Sequence, residues 1–407
     1  MKRPPAAGPA RAALLRLRDL RLLLVAFAIS SLGDVIALVA LTIRVHDISR
    51  SAWAVSALLV ANLLPLLIFA PVSGVIVDRV ETRRLLWITA LLQAAIAAAL
   101  AMLHSLGAIL ALSFALGLGE SLTAPGLFAL LPRIVGEDHT TEANAYQQVA
   151  HYAGGLAGPF VAGTLAATAG TRSAMLFDAG TFLLLAVAVA LLRARREPGP
   201  SSRGPGRAAA AEGIRFLARD RLVALVVGVV ALMVAFAAID NVANVFFAKD
   251  VLGAGDAGYG VLSGTWIVGM VIAVIVARRT RSGSLATVSL SAALVTSLMI
   301  ALAGAVARYP VAIAAYLVGG AGNGADNVAM RSLLHRRVPD PMRGRAFAAY
   351  SAVLSAAQLG ATGLGGAAVS LLGPRGAIVV AGAGGALVAM AGLLVYRALP
   401  SSDREVR

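Results

Sequence analysis

The chain has 407 residues, of which 59% are hydrophobic and only 14% charged, with a mean hydropathy of +0.84 and a formal net charge of +15. A soluble domain carries about 25% charged residues, so this composition excludes an ordinary water-soluble protein and places the chain in lipid. The absence of cysteine excludes a disulfide framework and a thiolate metal site, and the five histidines show no ligand spacing.

A helix that crosses the hydrocarbon core needs about 20 apolar residues. Twelve stretches meet that need, six on each side of one polar linker, which predicts an all-α integral membrane fold. Residues 1–21 are basic and end in RAALLRLRDLR, read as a short amphipathic helix at the inner surface rather than a signal peptide. The first six spans are expected at Leu20–Val45, Val55–Val77, Leu85–Leu103, Ala108–Leu131, Asn144–Thr168 and Ala174–Leu192. Pro125 lies inside the fourth and is tolerated there as a kink. The segment RARREPGPSSRGPGR, from Arg193 to Arg207, reads as a flexible linker, followed by an amphipathic helix over Ala208–Arg221. The last six spans are expected at Leu222–Phe247, Tyr259–Ala277, Leu285–Ala307, Val311–Leu334, Ala346–Leu372 and Ala377–Tyr396. The expected domains are therefore 1–192 and 222–407, two six-helix bundles joined by 193–221.

The two bundles are related. GLGESLTAPGLFALLPRIV, Gly117 to Val135, returns 203 residues later as GAGNGADNVAMRSLLHRRV, Gly320 to Val338. Gly117, Gly119, Leu130, Leu131, Arg133 and Val135 recur in register, and the shift is half the chain. Such a period predicts two pseudo-symmetric halves, a common plan in transporters.

Charge sets the orientation. With a cytoplasmic N-terminus, the outer loops hold six of the 35 Lys and Arg, namely Arg44, Arg50, Arg172, Lys249, Arg308 and Arg375, and the inner side holds the rest. This positive-inside bias predicts both termini in the cytoplasm. Basic residues never gather on one soluble module, so nucleic acid is not an expected partner. The expected partners are the lipid bilayer and a small molecule, for a monomer in a bacterial cytoplasmic membrane.

The loop between the second and third spans reads Gly74, three residues, Asp78, Arg79, two residues, Thr82, Arg83, Arg84. It resembles the signature loop G-x-x-x-D-R-x-G-x-R-R of the major facilitator superfamily, with Glu81 where the family has Gly. The resemblance covers the whole chain and implies the major facilitator fold. It also implies a gating loop made of Gly74, Asp78, Arg79, Arg83 and Arg84. There Asp78 would face the N-terminal end of the eleventh span near Gly344 and pair with a nearby Arg. The matching loop of the second half, ARRTRSG, is basic but lacks the acid. In the fifth span, Gly154, Gly158, Pro159 and Gly163 resemble the antiporter-type motif of exporters, a face that in the family packs against the other half. Small residues at this spacing also serve ordinary close helix packing.

Acids at membrane depth are costly and mark cavities, partners or bound protons. Asp34, Glu120, Asp178, Asp240 and Asp326 are the candidates, with Asn241 and Asn244 near Asp240, and Asn323 and Asn327 near Asp326. Asp178 could instead bond to Thr181, and Asp326 to its Asn neighbours. Glu120 stands where the repeat has Asn323, so the halves carry polar groups at matching depths, as a central cavity requires. Few basic side chains lie at that depth, so at least one carboxyl is expected to hold a proton, with Asp34 and Glu120 first. Gln147, Gln148, His151 and Tyr152 add a polar cluster, and His151 joins the cavity candidates.

RDLRLLL, SLGD, ALLPRIV and FDAGTF are similar to an exporter branch that includes macrolide-efflux and enterobactin-export proteins. The fourth span lacks the Arg that many proton-coupled drug exporters carry there. The expected function is export of an amphipathic small molecule in exchange for protons, by rocker-switch alternating access. Uptake or lysophospholipid-like lipid transport on the same fold is the alternative, with a membrane enzyme or sensor more remote. No Walker loop, nucleophile–base pair or metal site is visible, so neither an enzyme nor a cofactor is expected; the proton gradient is the drive.

Overall fold

The computed structural model describes residues 14–197, 207–277 and 284–400, and every regular element among them is helical. The basic segment 1–13, the linker core 198–206 and the loop 278–283 lie outside the described residues.

The first half begins with α1 (Arg18–Ser49), α2 (Ala52–Arg79), α3 (Thr82–Met102) and α4 (Leu106–Val135). A continuous run, Thr140–Leu191, follows, and Gly170 (φ 76°, ψ 162°) breaks it into α5 (140–169) and α6 (171–191). A linker helix, Arg207–Arg219, leads into α7 (Arg221–Phe246), which ends in a π-turn, Phe247–Val251. Then come α8 (Gly255–Ala277), α9 (Leu285–Val306) and α10 (Tyr309–Arg337). A final run, Arg343–Ala398, is broken at Gly373 (φ 69°, ψ 168°) into α11 (343–372) and α12 (374–398). The twelve expected spans are all present, and most helices run a few residues past the apolar stretch. By length and composition, nine of the described helical segments suffice to cross a membrane, the two broken runs each counting once. The one that falls short is α10, diluted by Asn323, Asp326, Asn327 and Arg331.

The 203-residue period is written into the backbone. Gly170 and Gly373 are 203 apart and adopt the same left-handed break, which glycine enters without a Cβ penalty. The short 3-10 turns Glu137–His139 and Asp340–Met342 keep the same spacing. Just after each break an arginine folds back on the preceding hairpin. Arg172 donates to the Met102 sulfur at 3.1 Å, and Arg375 donates to the Gly304 carbonyl at 3.0 Å.

Contacts divide the chain into two units, Met1–Leu41 with Ala61–Gly204, and Thr42–Val60 with Pro205–Arg407. The end of α1 and the start of α2 thus count with the second unit. In the first unit, Leu20, Leu23, Leu86, Leu127, Leu130, Leu131 and Val189 form the core. In the second, Leu222, Val226, Leu290, Met330, Leu333 and Leu334 do so. The paired leucines of the repeat are fully buried in both copies, Leu130 and Leu131, Leu333 and Leu334.

The glycines of the repeat explain why it is kept in register. In lipid no hydrophobic drive pulls helices together, so close backbone approach and van der Waals contact must do so. A Cβ on Gly117 would press on the Asn62 carbonyl of α2, and one on Gly320 on the Trp266 backbone of α8, the equivalent helix. A Cβ on Gly119 would meet Gln93 of α3, and one on Gly322 would meet Thr296 of α9, residues again 203 apart. Each copy therefore uses one glycine for each of two neighbouring helices.

Helix starts are capped by acids. Glu81 accepts from the Arg83 and Arg84 amides at 3.1 and 2.9 Å, and Asp220 accepts from the Leu222 and Val223 amides at 3.0 and 3.1 Å. The residue that departs from the signature loop is thus the cap of α3.

Two outcomes test this packing. Gly320→Ala places a methyl 2.8 Å from the Trp266 carbonyl carbon and should cost about 1–3 kcal/mol of stability, read as a lower Tm in detergent. Gly180→Ala, where nothing lies within 4 Å, should not lower it. Glu81→Ala should cost about 1 kcal/mol through the lost cap, again as a fall in Tm.

Candidate functional site

In the first unit the sequence-expected acids converge. Gly33 of α1 lies against α6, where an added Cβ would stand 2.6 Å from Asp178 Oδ1 and would also meet Thr181. Asp34 follows it, half-buried, and the charges of Glu120 on α4 and Asp178 on α6 both bear on its carboxyl. Asp34 Oδ1 is buried with no hydrogen-bond partner among the described residues. Asp178 is buried, and the Thr181 hydroxyl donates to its carbonyl at 2.8 Å and to its Oδ1 at 3.3 Å. Three carboxyls from three helices thus share one region, and no Lys or Arg among the described residues bears on any of them.

One turn before Asp34, the Ser31 hydroxyl bonds to His151 Nδ1 at 3.3 Å, joining α1 to α5. The imidazole stacks on Phe27, with centroids 6.1 Å apart. Gly154 and Gly158 make this approach possible. A Cβ on Gly154 would stand 2.6 Å from the Leu32 amide nitrogen, and one on Gly158 2.5 Å from Val35 Cγ1. What these two motif glycines pack against is α1 of their own unit, and Pro159 and Gly163 are buried beside them.

The acids of the second unit are partnered. Tyr316 of α10 donates to Asp240 Oδ1 on α7 at 2.6 Å, and Tyr316 packs edge-on against Trp266. Ser289 of α9 donates to Asp326 Oδ1. Asn327 donates to the Asn323 carbonyl at 2.9 Å, within its own helix. Asn241 is exposed, and Asn244 is buried with its Oδ1 unpartnered among the described residues. Asp326 therefore bonds across helices rather than to the asparagines beside it.

The loop between α2 and α3 is bolted to the exit of α6. Asp78 pairs with Arg196 at 2.9 Å, and Arg196 also donates to the Val77 carbonyl at 3.0 Å. The Thr82 amide donates to the Arg196 carbonyl at 3.2 Å, and Arg83 donates to the Ala190 carbonyl. Asp19 of α1 accepts from the Arg193 and Ala194 amides at 2.7 and 3.0 Å. Arg79, Arg84 and Gly74 are exposed, and an added Cβ on Gly74 would meet nothing within 4 Å. The sequence asks Asp78 for an Arg partner; within the unit it is Arg196, which lies 118 residues on and carries no motif. Tyr316 and Ser289 were equally hidden, because a lone hydroxyl in an apolar helix has no signature.

The profile of the Major Facilitator Superfamily matches residues 23–318. The chain is 26% identical over 207 residues to the uncharacterized MFS-type transporter YfiS of Bacillus subtilis (strain 168), covering 50% of each protein. It is 30% identical over 211 residues to the multidrug efflux pump Tap of Mycolicibacterium fortuitum, covering 48% of this chain and 52% of Tap. The chain thus spans about half the length of the curated relatives it matches. Among solved structures it is similar to the nucleoside transporter NupG, with a TM-score of 0.75 and 11% identity over 93% of this chain and 99% of that one. That likeness is one of fold. The chain belongs to the major facilitator superfamily and has its all-helical twelve-span fold.

Proposed function

We propose that this transporter exports an amphipathic small molecule in exchange for protons by alternating access, with both termini on the cytoplasmic side. The observation that carries the reading is the Asp34, Glu120 and Asp178 group, three carboxyls within electrostatic reach of one another and with no basic partner bearing on them among the described residues. A carboxyl in such a place binds a proton in one state and gives it up when a cationic substrate or water reaches it. The second support is the similarity to Tap, a multidrug efflux pump, over about half of each chain. The GxxxGP run of α5 adds a third, since Gly154 and Gly158 bring His151 to Ser31 on the helix that carries Asp34.

The test is efflux from proteoliposomes against a panel of amphipathic cations, driven by an imposed proton gradient. Wild type should accumulate substrate on the side that corresponds to the outside of the cell. Each coupled proton supplies about 2.3 kcal/mol per 100 mV, roughly a fiftyfold accumulation ratio. Asp34→Asn and Glu120→Gln should lose that accumulation while keeping downhill exchange. Proton-driven accumulation that survives in both variants would remove the carboxyl assignment. A wild type indifferent to the gradient would remove the exchange itself.

A further inference from the structure

The ends of α1 and α7 carry the same pair of residue types in the same register. His46–Asp47 and Lys249–Asp250 are 203 residues apart, the period of the repeat. All four belong to the second unit, and they pair crosswise. His46 Nε2 bonds to Asp250 Oδ2 at 3.0 Å, and Lys249 Nζ bonds to Asp47 Oδ1 at 2.6 Å. His46 Nδ1 also bonds to Asp47 Oδ1 at 2.8 Å. Lys249 reaches Asp256 at the start of α8 at 2.6 Å, and Arg50 reaches Asp250 Oδ1 at 3.3 Å.

The protonation state of His46 follows from counting donors. A neutral imidazole has one N–H and can donate once; an imidazolium donates twice. Both ring nitrogens of His46 face carboxylates, and each carboxylate also accepts from a second cation, so both are ionised acceptors. The arrangement is complete only when His46 carries two protons. In that form His46 donates to both Asp47 and Asp250; without the second proton one of these bonds is lost. The His46 side chain is 0% exposed and sits edge-on to Phe246, with centroids 4.7 Å apart, so the ring itself is shielded from solvent.

The other titratable and charged groups nearby are accounted for. On α1, Arg44 is buried two residues before His46. On α8, Tyr259 bonds to Thr42 and Ser263. Tyr309 of α10 donates to the Gly258 carbonyl, and Arg375, after the α11–α12 break, donates to the Gly304 and Ala305 carbonyls. The backbone is shaped for the cluster. The π-turn Phe247–Val251 carries both Lys249 and Asp250, and such turns concentrate at functional sites. Arg50 adopts φ 50° where its repeat partner is Gly253 at φ 63°. A side chain thus occupies a conformation that favours glycine, and its guanidinium reaches Asp250.

We infer that His46 is a proton-binding site that latches the far end of α1 to the far end of α7, so that the latch is closed when His46 is protonated and weakened when it is not. The latch lies at the end opposite the termini, which the proposed orientation places outside; only that placement rests on the proposed function. The sign follows from linkage. The latched form binds one more proton at His46, so its stability falls as pH rises. Acid outside therefore favours a closed outer end.

The chain has no cysteine, so Ile48→Cys and Val306→Cys, at 44% and 41% exposed sites on that same end, accept spin labels cleanly. Distances between them should show the unlatched fraction rising between an acidic and a mildly alkaline sample. In His46→Lys, which copies the base of the other half, the short distance should persist at both pH values. In His46→Gln the longer distance should be present at both. A pH response that survives in His46→Gln, or a wild type and His46→Lys that behave alike, would overturn the inference. Efflux recorded on the same samples keeps the two proposals apart: proton-driven transport with a pH-blind distance rejects the latch alone. A pH-dependent distance without proton-driven transport rejects the exchange alone.

Discussion

Close approach between helix backbones is the constraint on which this molecule depends. Two helices in hydrocarbon gain nothing by hiding leucines from a solvent that is itself apolar. They gain by surface contact, and contact is greatest where a side chain is missing. Gly117 and Gly119 do this toward α2 and α3, Gly320 and Gly322 toward α8 and α9, and Gly154 and Gly158 toward α1. Leucines then fill the wider parts of the same seams, as Leu130, Leu131, Leu333 and Leu334 do. Where seams are this tight, a polar group on them is held at a fixed distance from its neighbour. That is why Asp178 lies against Gly33, next to Asp34, and why Ser31 meets His151.

The two halves spend their acids differently. In the second, each buried acid has a hydroxyl donor, Tyr316 for Asp240 and Ser289 for Asp326. A carboxyl with a neutral donor is settled, because it can stay in place without calling in a counter-charge. In the first, Asp34 has an unpartnered oxygen and two further carboxyls nearby. Unsatisfied buried polar groups are expensive, so a native chain keeps them where they are used. Asp34 differs in this from Asp178, Asp240 and Asp326, each of which has a hydroxyl donor, a distinction that burial alone would miss, since all three of those are deeply buried.

Much of this was legible in the sequence, and the reason is physical. Span number follows from apolar length, and the halves follow from a period that glycine and leucine packing holds in register. The breaks at Gly170 and Gly373 fall between expected spans because a tight turn between two helices needs positive φ. The Glu81 substitution in the signature loop was visible, but not its role, because an N-cap is recognised only once the first helical residue is known. The partners of Asp78, Asp240 and Asp326 were not legible. They come from Arg196, Tyr316 and Ser289, each far along the chain and each an ordinary residue where it stands. Pairing across helices depends on rotation and depth, which composition does not encode.

The crossed pairs at the ends of α1 and α7 show what a repeat can still reveal after the fold is known. A duplicated unit that carries a base followed by an acid is self-complementary, since each copy offers what the other lacks. Two lysines would satisfy that logic at any pH. The chain instead keeps Lys249 in one copy and has His46 in the other. Lysine stays charged across the physiological range, whereas histidine changes charge within it. One cross-pair is therefore permanent and the other conditional, though their geometry is nearly the same. Arg50 makes the contrast sharper. It holds Asp250 from a backbone conformation its counterpart Gly253 reaches at no cost, so the conditional side has a tether of its own, as Asp256 is for Lys249. Symmetry provided the contact, and the departure from symmetry provides the control.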